Sequence, residues 1–184
     1  MLEEIGQPYE VVRLDLSAGD HKKPEYLKIH PHGRVPALVD GDLVMHESGA
    51  ICAYLADKFP DKRLAPPVGT PARGLYYQWL FYCMATLEPP VLQIFLNTIM
   101  LPEEQRSAKA AEDGKQNFAN VAKVISQALQ GRPYLLGEKF SAADVMIGST
   151  LVWGQFMGLL SGQPVLEEYV ARLSARPAFQ RAQD

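Results

Sequence analysis

The 184-residue sequence predicts an α/β amino-terminal region followed by an all-α carboxyl-terminal region. Three observations favour this fold class. Short runs of strand length lie before residue 60, residues 61–70 are rich in proline and glycine as linkers are, and apolar residues after Thr70 recur at helical spacing. We therefore expect an α/β domain over residues 1–60, a linker over 61–70 and a helical domain over 71–184.

The first thirty residues predict a helix end, a strand and a second short helix. Residues 2–5 form the end of a helix, because Gly6 stands where a left-handed cap belongs and Pro8 prevents continuation. Residues 9–16 alternate between apolar and polar side chains, which is typical of a strand. Residues 24–29 predict a short helix that begins with a proline.

A β-hairpin and a helix follow. Residues 37–39 and 43–45 are short apolar runs, and Asp40-Gly41 between them is a turn signal because glycine supplies positive φ without strain. Val35 precedes Pro36 and is therefore pushed to an extended conformation.

The helix after the hairpin begins near Glu47-Ser48. Its apolar residues recur at i, i+3, i+4 and i+7, which predicts one buried face. They are Cys52, Leu55, Ala56 and Phe59. A serine at a helix start, with the free N–H groups around it, suits a carboxylate ligand.

The carboxyl-terminal region reads as a set of helices. Apolar stripes after Thr70 predict a long buried helix, which Pro89-Pro90 should kink or end. Residues 103–130 predict a second long helix, ended by Gly131. A further helix starts at Ser141 and Asp144, which form a capping box, and residues 145–153 are apolar nearly all round, so this helix should be central and buried.

Residues 166–173 have helical apolar spacing, and a last short helix starts near Pro177.

Composition excludes several function classes. The net charge is −3 without a basic stripe, so we expect no nucleic-acid partner, and no apolar run approaches the roughly 20 residues of a membrane span. Cys52 and Cys83 lie in apolar helical patterns, which favours reduced core thiols in a cytoplasmic protein. His30 and His32 lack further ligands at metal-binding spacing, so we expect no metal site.

The stretch from Val35-Pro36 through the hairpin to Glu47-Ser48, with the Ala50-Ile51 and Tyr54-Leu55 that follow, resembles the glutathione-binding half of the cytosolic glutathione transferases. The resemblance implies a cis Pro36. It also implies that the Val35 backbone pairs with the cysteinyl part of glutathione, and that Glu47 and Ser48 hold the γ-glutamyl end.

Arg34 or His32 could meet the glycine carboxylate of glutathione, although a solvated surface position is as good an interpretation of either. The Ser141–Asp144 box also resembles the family, where its role is in folding.

The family's first domain is thioredoxin-like, with a strand and a helix ahead of a strand like residues 9–16. This chain starts inside that helix, so roughly 15 to 25 residues that carry the family's catalytic Ser, Cys or Tyr are expected to be missing. Two explanations are open: an upstream start codon, or a product without the catalytic side chain. The catalytic residue is therefore unassigned. Tyr76, Tyr77 and Tyr82 are interpreted as walls of the acceptor pocket or as dimer contacts.

The resemblance implies that the protein conjugates or transfers glutathione, its co-substrate, to a small hydrophobic electrophile. It also implies a cytoplasmic homodimer. The alternative is a non-catalytic glutathione-binding or protein-interaction module on the same fold, since fold alone does not fix the chemistry.

Overall fold

The computed structural model describes residues 1–183 of the chain. Its two strands are β1 (Ala37–Asp40) and β2 (Leu43–His46). Its α-helices are α1 (Leu2–Ile5), α2 (Pro24–Leu27), α3 (Ser48–Lys58), α4 (Pro71–Tyr82), α5 (Glu88–Phe95), α6 (Ala108–Leu129), α7 (Ala142–Phe156), α8 (Pro164–Ser174) and α9 (Pro177–Arg181). Short 3₁₀ turns lie at Asp20–Lys22, Pro60–Lys62 and Glu103–Gln105. The predicted class, an α/β region followed by helices, is confirmed.

Helix α1 ends as predicted and ties the two chain ends together. Gly6 adopts a left-handed conformation with φ 71°, and its N–H donates to the Leu2 carbonyl at 2.9 Å. The carboxylate of Glu4 accepts hydrogen bonds from Arg176 at 2.7 and 2.8 Å. Because that pair is largely buried, α1 is fixed against the carboxyl-terminal helices.

The hairpin is present, and each strand is one residue longer than predicted. β1 and β2 are antiparallel, with Ala37 opposite His46 and Asp40 opposite Leu43. The two turn residues are consequently Gly41, at φ 61°, and Asp42. The Asp40 carboxylate accepts hydrogen bonds from Tyr54, at 2.7 Å, and from Lys58, which join the hairpin to α3.

The predicted strand over residues 9–16 is wrong. Residues 7–15 have no regular secondary structure, and the sheet of the described residues contains only β1 and β2. Val11 is 59% exposed and Val12 is 75% exposed. Alternation favours an extended backbone, but a strand also needs a neighbour to pair its N–H and C=O groups, and this segment has none within residues 1–183.

The long helix continues past Pro89 and Pro90, so of the two predicted outcomes, a kink or an end, the end is wrong. A π-helical turn at Cys83–Leu87 connects α4 to α5, and another at Leu96–Met100 extends the helical segment to residue 100. Proline has no N–H to donate, and its ring clashes with the preceding helical turn. The wider π turn just before the two prolines relieves that clash, so the helix continues beyond them.

The helical segment Pro71–Met100 is long and apolar enough by length and composition to cross a membrane, although the sequence has no uninterrupted apolar run of that length. Its buried residues pack in the protein core against α6 and α7. They include Tyr76, Leu80, Leu87 and Val91. Core helices pass the same test of composition, and 39% of the most apolar stretch of this segment is buried in the described residues.

Helix α6 begins five residues later than predicted. Glu103–Gln105 forms a separate 3₁₀ turn, and the hydroxyl of Ser107 accepts a hydrogen bond from the Ala110 N–H at 3.1 Å to cap the helix. The sequence pattern did not predict this helix start, because a capping serine within a polar run cannot be distinguished from a serine inside the helix.

Helix α7 lies at the centre of the helical region and carries the predicted capping box. Asp144 is fully buried and accepts hydrogen bonds from the N–H groups of Leu135 and Ser141, both at 2.9 Å, and from the Tyr169 hydroxyl at 2.8 Å. The helix is buried along most of its length, as predicted, but its end departs from that expectation, since Trp153 is 44% exposed.

Candidate functional site

Residues 30–36 form a loop that is held by side chains from the preceding helices. The Tyr26 hydroxyl donates to the Arg34 carbonyl at 2.6 Å, and Lys22 Nζ donates to the carbonyls of His32 and Gly33 at 3.2 and 3.0 Å. Gly33 has φ 54°, and a Cβ there would lie 2.4 Å from the His21 carbonyl oxygen. The loop path therefore requires glycine at this position.

Val35 presents its backbone at the end of this loop. The Val35–Pro36 peptide bond is cis, in agreement with the family resemblance, and the Val35 side chain is 51% exposed. Within residues 1–183 the Val35 N–H and C=O have no hydrogen-bond partner. Two free backbone groups on an exposed, extended residue can pair with a peptide ligand as a neighbouring strand would.

The start of α3 supplies free donors. Ser48 is the first residue of the helix, and Glu47 before it has φ 73° and ψ 108° without a side-chain cap. The N–H groups of the first turn therefore have no acceptor in the helix and attract an anion. The Ser48 hydroxyl lies 3.6 Å from the Met84 sulfur, which connects this helix end to the long helical segment.

His30 is packed under the same loop. Its ring lies 4.8 Å from that of His46 and 6.3 Å from those of Tyr26 and His32, and its Nδ1 is buried without a hydrogen bond. Burial lowers the pKa of His30, and the neighbouring His46 and His32 lower it further. His30 is therefore a packing residue of the loop in its neutral form.

Arg34 and His32 are both exposed on this loop. The Arg34 guanidinium has no hydrogen bond or ion pair among the described residues. A guanidinium in that state can bind a carboxylate with two parallel hydrogen bonds. Either residue could contact the glycine carboxylate, as the sequence indicated, and this assignment stays a prediction.

Glu88 is an additional acidic residue near the start of α3, and its sequence context does not single it out. Burial raises the pKa of its carboxyl group, and the charge of Glu47 raises it further. A charged residue within a long apolar helix is a sequence signal that could have identified Glu88 as a candidate. The signal is ambiguous, because a glutamate beside two prolines is also common at a solvent-facing position.

The tyrosines of the helical segment divide into two groups. Tyr76 is 0% exposed and belongs to the core, so its interpretation as a wall or dimer-contact residue is wrong. Burial raises the pKa of Tyr76, and its hydroxyl has no hydrogen-bond partner among the described residues. Tyr77 and Tyr82 retain exposed surface, and their assignment stays a prediction.

Other candidate sites are absent or lie elsewhere in the described residues. No three His, Cys, Asp or Glu side chains within residues 1–183 converge to hold a metal ion. An apolar cavity of about 340 Å³ lies at the ends of α5 and α7. None of the residues that line it belongs to the Val35 loop or to α3. Its lining residues are Phe95, Val152, Trp153, Phe156 and Met157.

Comparison with protein families identifies two matching domain models. Residues 1–57 match the glutathione S-transferase amino-terminal domain, and residues 87–177 match the glutathione S-transferase carboxyl-terminal domain. Both models agree with the order of an α/β region before a helical region.

Similar curated proteins come from plants and bacteria. Glutathione S-transferase 3 of Zea mays is 30% identical over 98% of this chain and 84% of its own length. Glutathione S-transferase F10 of Arabidopsis thaliana is 36% identical over 78% of this chain and 68% of its own length. Glutathione S-transferase GST-4.5 of Xanthomonas campestris is 30% identical over 95% of this chain and 85% of its own length.

Solved structures share the fold. Glutathione transferase URE2P6 of Phanerochaete chrysosporium, in complex with oxidised glutathione, superposes with a TM-score of 0.90 at 29% identity over 99% of this chain and 86% of that one. BphK, a bacterial transferase of this kind solved as a ternary complex, superposes with a TM-score of 0.87 at 30% identity over 98% of this chain and 88% of that one.

Proposed function

Since this chain belongs to the glutathione S-transferase family, we propose that it binds glutathione between the Val35 loop and the start of α3 and transfers it to a small hydrophobic electrophile. The observation that carries the proposal is the combination of an unpaired Val35 backbone with the uncapped first turn of α3. A tripeptide with a carboxylate at each end suits both features.

Each part of the ligand has a complementary group in the proposed site. The cysteinyl backbone pairs with Val35, and the γ-glutamyl carboxylate accepts hydrogen bonds from the Ser48 hydroxyl and the first-turn N–H groups of α3. Arg34, an exposed guanidinium without an ion pair among the described residues, is the group we propose for the glycine carboxylate. Pro36 holds the loop geometry rather than contacting ligand.

The chemical step requires the ligand thiol as a thiolate. A free thiol with a pKa near 8.5 is mostly protonated at neutral pH, so the site must favour loss of that proton. The sulfur then forms a bond to an electrophilic carbon, and the leaving group departs with its electron pair.

We also propose a homodimer in the cytoplasm. Phe81 is 72% exposed and Leu75 is 50% exposed on α4, and large exposed apolar side chains of this kind favour burial against a second subunit. Both cysteines are free, which suits a reducing compartment.

Calorimetric titration with glutathione tests the binding site. Ser48→Ala should weaken binding by about 1–3 kcal/mol, because a hydrogen bond to a charged carboxylate is lost. Ser161→Ala, at an exposed turn beyond α7, is the matched control and should bind like the unaltered protein. Equal affinity of the two variants would overturn the assignment of Ser48.

A measurement of catalytic turnover distinguishes a transferase from a non-catalytic binding module on the same fold. Conjugation of glutathione to an activated aryl halide above the solution rate supports the transferase. Saturable glutathione binding without such turnover would favour the non-catalytic binding module instead.

A further inference from the structure

Residues 9–16 have the sequence of a strand but no strand beside them. Val12 is 75% exposed and Leu16 is 50% exposed, and the alternation of an extended chain places Leu14 on the same face. Residues 9–14 make no backbone–backbone hydrogen bond within residues 1–183. Exposed apolar side chains along an unpaired backbone are a template for another strand.

Asp15 shows which side of this segment is open. Its N–H donates to the Asp20 carboxylate at 2.8 Å, and its C=O accepts a hydrogen bond from the Asp20 N–H at 3.0 Å. Both backbone groups of an extended residue point to one side, and those of its neighbours point to the other. The N–H and C=O of Leu14 are therefore directed away from Asp20, and no backbone group of the described residues pairs with them.

The segment is complementary to itself in an antiparallel arrangement. With a two-fold axis at Leu14, Val12 lies opposite Leu16 of the second copy, and Arg13 lies opposite Asp15 of the second copy. The apolar pairs then share one face of the ribbon, and the pairs of opposite charge share the other. Both kinds of cross-strand pair stabilise neighbouring strands.

This arrangement is compatible with the contacts that Asp15 already makes. The two Leu14 residues exchange both N–H···O=C bonds, whereas Asp15, as the next residue, keeps its backbone bonds to Asp20. A hydrogen bond from the Ser17 hydroxyl lowers the pKa of the Asp15 carboxyl group, so this side chain carries its negative charge at neutral pH.

We propose that residues 12–16 bind the same residues of a second copy of this chain in a two-stranded antiparallel ribbon centred on Leu14. The inference goes beyond the proposed function, because the ribbon uses none of the α4 residues proposed for the homodimer and needs no glutathione. A ribbon of five residues from each copy buries little surface, so the association is weak and depends on protein concentration. In molecules that also associate through α4, the ribbon links one dimer to the next.

Sedimentation velocity over a series of protein concentrations measures this contact. Phe81→Glu, which places a charge in the proposed α4 interface, is the background, so that the remaining association reports the ribbon. In that background Leu14→Pro should weaken association at least about tenfold, because both central hydrogen bonds lose their donors. Val11→Pro is the matched control and should associate like the background protein, because the Val11 N–H points to the same side as that of Asp15.

Arg13→Glu in the same background gives a second readout. It places like charges opposite each other at two positions of the ribbon and should weaken association about tenfold. Arg132→Glu makes the same change of charge at an exposed residue after α6 and should leave association unchanged. Thermal melting checks that each variant is folded.

A Phe81→Glu protein that stays monomeric at every concentration would overturn the inference. Equal association of Leu14→Pro and Val11→Pro, or of Arg13→Glu and Arg132→Glu, would also overturn it. None of these outcomes depends on glutathione binding, so a failure of the ribbon is distinct from a failure of the proposed function.

Discussion

Nη2 of Arg73 lies 2.6 Å from both carboxylate oxygens of Asp57, so that α4 is joined to α3 across the intervening linker. Nη1 of the same side chain donates to the Pro66 carbonyl at 2.9 Å. The guanidinium also lies 4.8 Å from the centre of the Tyr77 ring. Arg73 is 4% exposed, so a buried cation on α4 links this helix to α3 and to the Pro66 carbonyl between them.

Arg73→Ala should lower the free energy of unfolding by about 2–4 kcal/mol, because the Pro66 carbonyl loses its donor and a buried volume is vacated. Arg73→Lys should lower the free energy of unfolding by a smaller amount, because lysine retains the positive charge but not the planar arrangement of donors. Urea unfolding measures both. If Arg73→Ala proved as stable as the exposed-site variant Arg181→Ala, the linking role would be wrong.

Asp144→Ala should lower the free energy of unfolding by about 3–5 kcal/mol. The substitution leaves the N–H groups of Leu135 and Ser141 and the Tyr169 hydroxyl without their acceptor in a buried region. Glutathione affinity of the folded fraction should not change. Asp61→Ala, on an exposed side chain, is the control, and denaturant unfolding with calorimetry on the same samples separates folding from binding.

Acidification should destabilise the Val35 loop through His30. Its folded-state pKa lies below the ordinary 6.5 because of burial and of the neighbouring His46 and His32, so the unfolded chain takes up this proton more readily. The stabilising contribution is thus complete above about pH 6.5 and is lost as pH falls below it.

Unfolding measured between pH 8 and pH 5 checks this expectation. In His30→Gln the free energy of unfolding should vary less with pH over this range. In His32→Gln, which changes an exposed position, most of the pH dependence should remain. An unchanged pH profile in His30→Gln would contradict the assignment.

Cys83 should be chemically inert in the folded protein. Burial raises the pKa of its thiol to about 11, and its sulfur lies 3.4 Å from the Thr150 hydroxyl. In a Cys52→Ser background at pH 8, a disulfide reagent should modify Cys83 at least about 100-fold more slowly than it modifies the unfolded chain, since little thiolate is present or accessible. Rapid stoichiometric modification of the folded protein would show that the core around α4 and α7 opens.

Features that depend on neighbouring residues could be predicted from the order of amino acids alone. The left-handed cap at Gly6, the turn at Gly41 and the capping box of Ser141 with Asp144 each follow from contacts within a few positions of the chain. The candidate residues Val35, Glu47 and Ser48 were likewise recognised from one continuous stretch.

Features that depend on distant partners became visible only in the folded chain. Residues 9–16 alternate as a strand does, but strand formation requires another strand, and none pairs with them in the described residues. Tyr76 became a core residue because of how the Pro71–Met100 segment packs, with a π turn that local propensity does not indicate. Pairing and burial are set by long-range contacts, so periodicity along one segment cannot specify them.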